Sequence, residues 1–146
     1  MAAYLETLFA DVRGGILAAV GELSVDGIFE SEHADTVPWG ELTLPYAAVV
    51  VNLDAAAEWG IQSNAFTATV DIYLVYAQLG GGAGLRAKLE AVRDAFANTE
   101  RLTKGTTLEV GRVGWGRDLA PNRELAADPT RRAGLVQVRA VVGERP

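Results

Sequence analysis

The stretch AFTATVDIYLVYA, residues 65–77, decides the fold. Phe66, Ala68, Val70, Ile72, Leu74 and Tyr76 alternate there with Thr67, Thr69, Asp71, Tyr73 and Val75. Successive side chains of a strand point to opposite faces, so this alternation predicts a half-buried antiparallel strand. Upstream, YAAVVVNL at 46–53 is a second strand by its β-branched content, and residues 54–60 read as the connection of a hairpin. Downstream, the glycine-rich turn at 80–84 leads into a helix at 85–97, whose apolar stripe is Leu85, Leu89, Val92 and Phe96. Residues 107–115 predict a strand with Leu108 and Val110 on one face. Residues 135–142 predict the last strand, with Val136, Val138, Ala140 and Val142 opposed to Gln137 and Arg139.

The N-terminal segment has a different period. Leu5, Leu8, Phe9, Val12, Ile16, Ala19, Val20 and Leu23 recur at three- and four-residue steps, which predicts a helix over 3–22. Gly14 and Gly15 each weaken it by roughly 1 kcal/mol, marking a kink or a close approach of another backbone. Gly21 and the Asp26–Gly27 pair supply stop and turn signals. Ile28 and Phe29 can start a strand. The polar residues 30–35 read as loop, and Pro38 and Pro45 fall in a long exposed connection. Residues 116–134, polar and holding Pro121 and Pro129, read as a long loop of the kind that serves function. The order helix, two or three strands, helix, two strands predicts an α+β fold: one small domain over 1–146, mostly antiparallel, with two helices packed on one face.

Composition removes whole classes of chemistry. The 146 residues are 49% hydrophobic and 22% charged, ordinary for one globular domain. With no cysteine there is no disulfide, zinc–thiolate site, iron–sulfur ligation or cysteine catalysis. With one histidine there is no multi-histidine metal site. No apolar run approaches the roughly 20 residues of a membrane span. Residues 1–11 lack the basic start of a signal peptide. The expectation is a soluble domain made inside the cell, with no membrane partner. Its net charge of −6 is unevenly spread: residues 1–75 hold 11 acids and one base, Arg13, whereas residues 76–146 hold 12 bases and 8 acids. Such polarity gives an oligomer two different surfaces to pair, and it does not suit a nucleic-acid groove.

No catalytic pattern is complete. The glycine turn precedes a helix but lacks the Gly-Lys-Ser/Thr ending of a phosphate loop. His33 stands among Glu30, Glu32 and Asp35 in a polar loop, where solvation is the ordinary outcome. Asp71 and Glu109 form a carboxylate pair only if the fold gives them a shared cleft. Ser24, Ser31 and Ser63 sit in no nucleophile elbow. The expectation is a protein that is not an enzyme, with no cofactor and no metal. Candidate interface residues remain. Trp39, Trp59 and Trp115 lie in or beside turns, where a large ring with one donor serves an interface or caps the core under a loop. Arg117, Arg123, Arg131 and Arg132 are spread along the long loop with mixed-sign neighbours, which suits a polar partner surface or a solvated hairpin tip.

The strand at 67–76, the glycine turn, the helix Leu85-Arg-Ala-Lys-Leu-Glu-Ala-Val-Arg-Asp-Ala-Phe96 and the late hairpin together resemble the tail terminator, or tail-completion, proteins of long-tailed bacteriophages. The N-terminal helix and the strand at 46–53 fit the same order, so the resemblance covers most of the chain; only residues 30–41 do not align. Neck proteins of phages and gene-transfer particles share the pattern. The resemblance implies a hexameric ring in the virion tail and neck, assembled in the host cytoplasm. The ring caps the tail tube, stops its growth, meets the tail tube protein and a head-neck stopper or connector protein, and lets DNA pass without specific binding. The other reading is a small acidic module that captures a partner by edge-strand addition.

Overall fold

A computed structural model describes residues 2–31, 37–39, 43–53, 65–77, 82–97, 106–115 and 130–143. In chain order they form α1 (Ala2–Ala19), a 3-10 turn (Val25–Gly27), β1 (Ile28–Ser31), β2 (Tyr46–Leu53), β3 (Ala65–Ala77), α2 (Gly82–Ala97), β4 (Thr106–Trp115) and β5 (Arg131–Gly143). The strands make one sheet in the order β1-β2-β3-β5-β4. The fold is α+β and mostly antiparallel, with both helices on one face.

The 65–77 strand is central. It pairs antiparallel with β2, from Tyr46↔Val75 to Leu53↔Ala68, and with β5 along its whole length, from Ala65↔Gly143 to Ala77↔Arg131. Ala68, Val70, Ile72 and Leu74 face the helices and are fully buried. They meet Leu8, Val12, Ile16 and Val20 of α1 and its end, and Leu85, Leu89, Val92 and Phe96 of α2. Each such side chain contributes roughly 1.5–3 kcal/mol on burial, which makes this layer the main driving force of folding. No helix among the described residues is long and apolar enough to cross a membrane.

Two glycines are explained by close approach. A Cβ on Gly15 of α1 would lie 2.8 Å from Phe96 Cζ, so the contact at this glycine is with an aromatic ring rather than a backbone. A Cβ on Gly134 would lie 2.5 Å from Leu89 Cδ1, so the strand must be bare there for α2 to seat. Sequence places Gly134 at the end of the long loop, yet it lies within β5, which starts at Arg131. The glycine reads as a loop signal because its reason is a tertiary contact.

The other departure is at β1. Glu30 and Ser31, expected in a loop, belong to a strand that runs parallel to β2, in register Ile28↔Ala47 to Ser31↔Val50. Parallel neighbours need a crossover of a dozen or more residues, and residues 32–45 supply it. Its described residues 37–39 lie on the sheet face opposite the helices. Val37 and Trp39 bury there against Tyr46, Ala48, Val50, Tyr73, Val75 and Leu135.

Candidate functional site

Trp39 anchors the crossover. Its ring meets Tyr73 edge-on, with centroids 5.2 Å apart and planes at 78°. Its carbonyl accepts the Tyr46 hydroxyl at 2.5 Å and Arg131 Nη1 at 3.5 Å. Only 3% of Trp39 is exposed. Of the two roles open to it in sequence, it takes that of a cap on the core. A ring buried in its own subunit leaves little surface for a partner.

Arg131 and Arg132 do not form one exposed patch. Both are half-buried in β5, and successive strand residues face opposite ways. Arg131 reaches the crossover. Arg132 pairs in register with Tyr76, on the helix side. There the Tyr76 hydroxyl donates to Glu22 Oε1, and Lys88 Nζ lies 3.4 Å from the same oxygen. The Tyr76 hydrogen bond, with help from Lys88, holds the Glu22 carboxyl below the usual carboxylate range. Burial, and then the Glu22 contact, push the Tyr76 phenol up. This cluster ties the turn after α1 to the end of β3 and to α2.

Beyond Trp39 the second sheet face becomes polar. Gln137 Nε2 donates to Asp71 Oδ1 at 2.9 Å, and burial raises the Asp71 carboxyl above its ordinary range. One step further, the register aligns Asn52, Thr69, Arg139 and Glu109 across β2, β3, β5 and β4. Asn52 and Arg139 are exposed and Thr69 is half-buried. The row is not visible in the sequence, because it exists only once register is fixed. Asp71 and Glu109 lie two strands apart with β5 between them and two residues out of line, roughly 12 Å between their Cα atoms.

Trp115 ends β4 opposite Gly134. Its side chain, Trp59, Arg117, Arg123, His33 and the loop residues 116–129 lie outside the described residues. A groove of about 390 Å³ beside β1 is lined by Ser24, Asp26, Phe29, Thr43, Leu44 and Tyr46, among others. Among the described residues no three metal-ligating side chains converge. At the β1 edge, Arg13 Nε of α1 pairs with Glu30 Oε1 at 2.6 Å.

No protein-family model matches the sequence, and no curated protein matches it. Among solved structures, the chain is similar to one in the virion of a native gene transfer agent (GTA) particle. The two share 21% identity, and the match covers 99% of this chain and 100% of the other, with a TM-score of 0.64. At that identity the likeness is one of fold, and it extends from end to end.

Proposed function

We propose that this chain is a structural subunit of a phage-type virion, and that within the particle it acts as a tail terminator or tail-completion protein. Six copies close a ring on the end of the tail tube, stop its growth and present the opposite side to the neck proteins of the head. The observation that supports this reading is the end-to-end match of fold with a chain of a gene transfer agent virion. Two physical points agree. A ring built head to tail needs two different surfaces, and a chain with 11 acids and one base in its first 75 residues is polarised in that way. An acidic subunit also lets DNA pass without gripping its phosphates. The role is architectural and asks for no catalytic group.

The test is electron microscopy of the purified chain, alone and mixed with tail tubes. Rings with a central hole on tube ends are the expected result. Bare tube ends beside a chain that remains monomeric or dimeric would overturn the reading. A second reading, peptide capture by strand addition, rests on β4, a ten-residue edge strand that pairs only with β5 among the described residues. It expects a dimer or monomer that binds an extended peptide and ignores tubes.

A further inference from the structure

The sheet order turns the uneven charge of the sequence into two opposite sides of the molecule. β1, β2 and β3 occupy one half of the sheet, and β5 and β4 the other. The two helices pack side by side, and α1 also approaches β5. α1 is held to β1 by the Arg13–Glu30 pair, whereas α2 packs on β4 and β5. From α1 to β3 the described residues carry Glu6, Asp11, Glu22, Asp26, Glu30 and Asp71 against Arg13 alone. The elements α2, β4 and β5 carry seven arginines and lysines against Glu90, Asp94 and Glu109. Each side also ends in an edge strand, since β1 pairs only with β2 and β4 only with β5 among the described residues.

We infer that the acidic α1–β1 side of one copy docks on the basic α2–β4 side of the next, so the contact between copies is head to tail and electrostatically steered. The occupant is a second copy because the two sides complement each other in charge on a single chain. A two-fold dimer would instead bring like to like across its axis, where matching charges repel. The inference rests on the ring reading, and it names the surfaces that would close the ring.

The test exchanges charge by side, using residues exposed in the subunit. One variant carries Glu6→Arg and Asp26→Arg, which places two bases on the acidic side. The other carries Arg86→Glu and Arg93→Glu, which lie two turns apart on the outer face of α2 and place two acids on the basic side. Sedimentation at low ionic strength is read for the wild type, each variant and their equimolar mixture, after each variant is shown to melt cooperatively. Each variant alone is expected to self-associate about tenfold or more weakly than the wild type. The mixture is expected to recover wild-type association, because alternating copies restore every acidic–basic contact. Glutamine at the same four positions serves where a reversal prevents folding: it weakens association, and mixing does not restore it.

Variants that associate as the wild type does, or a mixture that fails to recover, would overturn the contact and leave the ring reading standing. A wild type that stays monomeric at low salt would also overturn it, because the ring is judged separately on tail tubes. Open chains or pairs that obey the charge exchange would support the contact, and the ring would still be judged on tail tubes.

Discussion

The two faces of the sheet are buried by different means. One is covered by α1 and α2, whose apolar stripes repeat with the helical period, and 19 described residues form its core. The other is covered by a crossover with no such period, and eight described residues form its core around Trp39. The same strands serve both, with Ile72 on one side and Asp71 and Tyr73 on the other. The helix-side face is a general hydrophobic layer in which many residues share the work. The crossover face depends on one large ring and the polar groups that hold its carbonyl.

The sharpest way to break this comparison is to place a charge in the helix-side layer. Ile72→Asp puts a carboxylate at a fully buried position within the apolar cluster, at a cost of several kcal/mol on top of the lost apolar burial. The variant is expected to lack a cooperative melting transition by circular dichroism. Soluble material with a sharp transition would mean that the assigned faces are reversed. On the other face, Trp39→Ala is expected to cost about 3–5 kcal/mol while folding stays cooperative, because the helix-side core is untouched. Urea titration measures this. A loss below about 1 kcal/mol would show that the crossover is not part of the folded core.

Adjacent glycines in α1 sharpen the comparison within one layer. Gly15 faces Phe96, so Gly15→Ala overpacks a buried ring and is expected to lower stability by about 1 kcal/mol even after the gain in helix propensity. A Cβ on Gly14 meets nothing within 4 Å, so Gly14→Ala is expected to raise stability by about 0.5–1 kcal/mol. Opposite signs at neighbouring positions in thermal melts would fix how α1 faces α2; equal signs would contradict it.

These elements also mark what the sequence can and cannot carry. The helix stripes, the alternation of β3 and the β-branched content of β2 are local signals, and β2 and β3 run over the residues that they indicate. The parallel placement of β1 is not local. It depends on a crossover whose apolar content, Val37 and Trp39, is too sparse to show a period. Tyr73 and Val75 read as the wetter side of their strand because the chain that covers them lies more than 30 residues away in sequence. The same limit applies to the candidate surface. Arg131 and Arg132 look like a pair until the strand turns them to opposite faces. Asn52, Thr69, Arg139 and Glu109 look unrelated until register aligns them.

Asp71 offers the smallest expected effect and the finest test of the two faces, since it adjoins Ile72 on the same strand. Its neighbours on the crossover face are Val50 of β2, Gln137 of β5, and Thr69 and Tyr73 of its own strand, with Arg139 diagonally placed on β5. Burial disfavours its charged form, and the Gln137 hydrogen bond only partly compensates. A carboxyl whose pKa is higher in the folded than in the unfolded chain stabilises the fold fully only below its unfolded value, about 3.9. That contribution is lost as pH rises through the folded pKa, so at neutral pH the ionised group is a small burden. Asp71→Asn removes the charge and keeps an oxygen for Gln137 to donate to. The variant is expected to be more stable than the wild type at pH 7, by less than about 1 kcal/mol. The advantage is expected to vanish as pH falls to about 4 and below. Melting temperatures of the two proteins between those limits measure it. If Asp71→Asn instead lowers stability at pH 7, Arg139 swings across to neutralise the carboxylate, and the open half of this face is held by an ion pair. The expected result makes the charge a burden that the isolated subunit tolerates only because, one residue from Ile72, its side chain still reaches water.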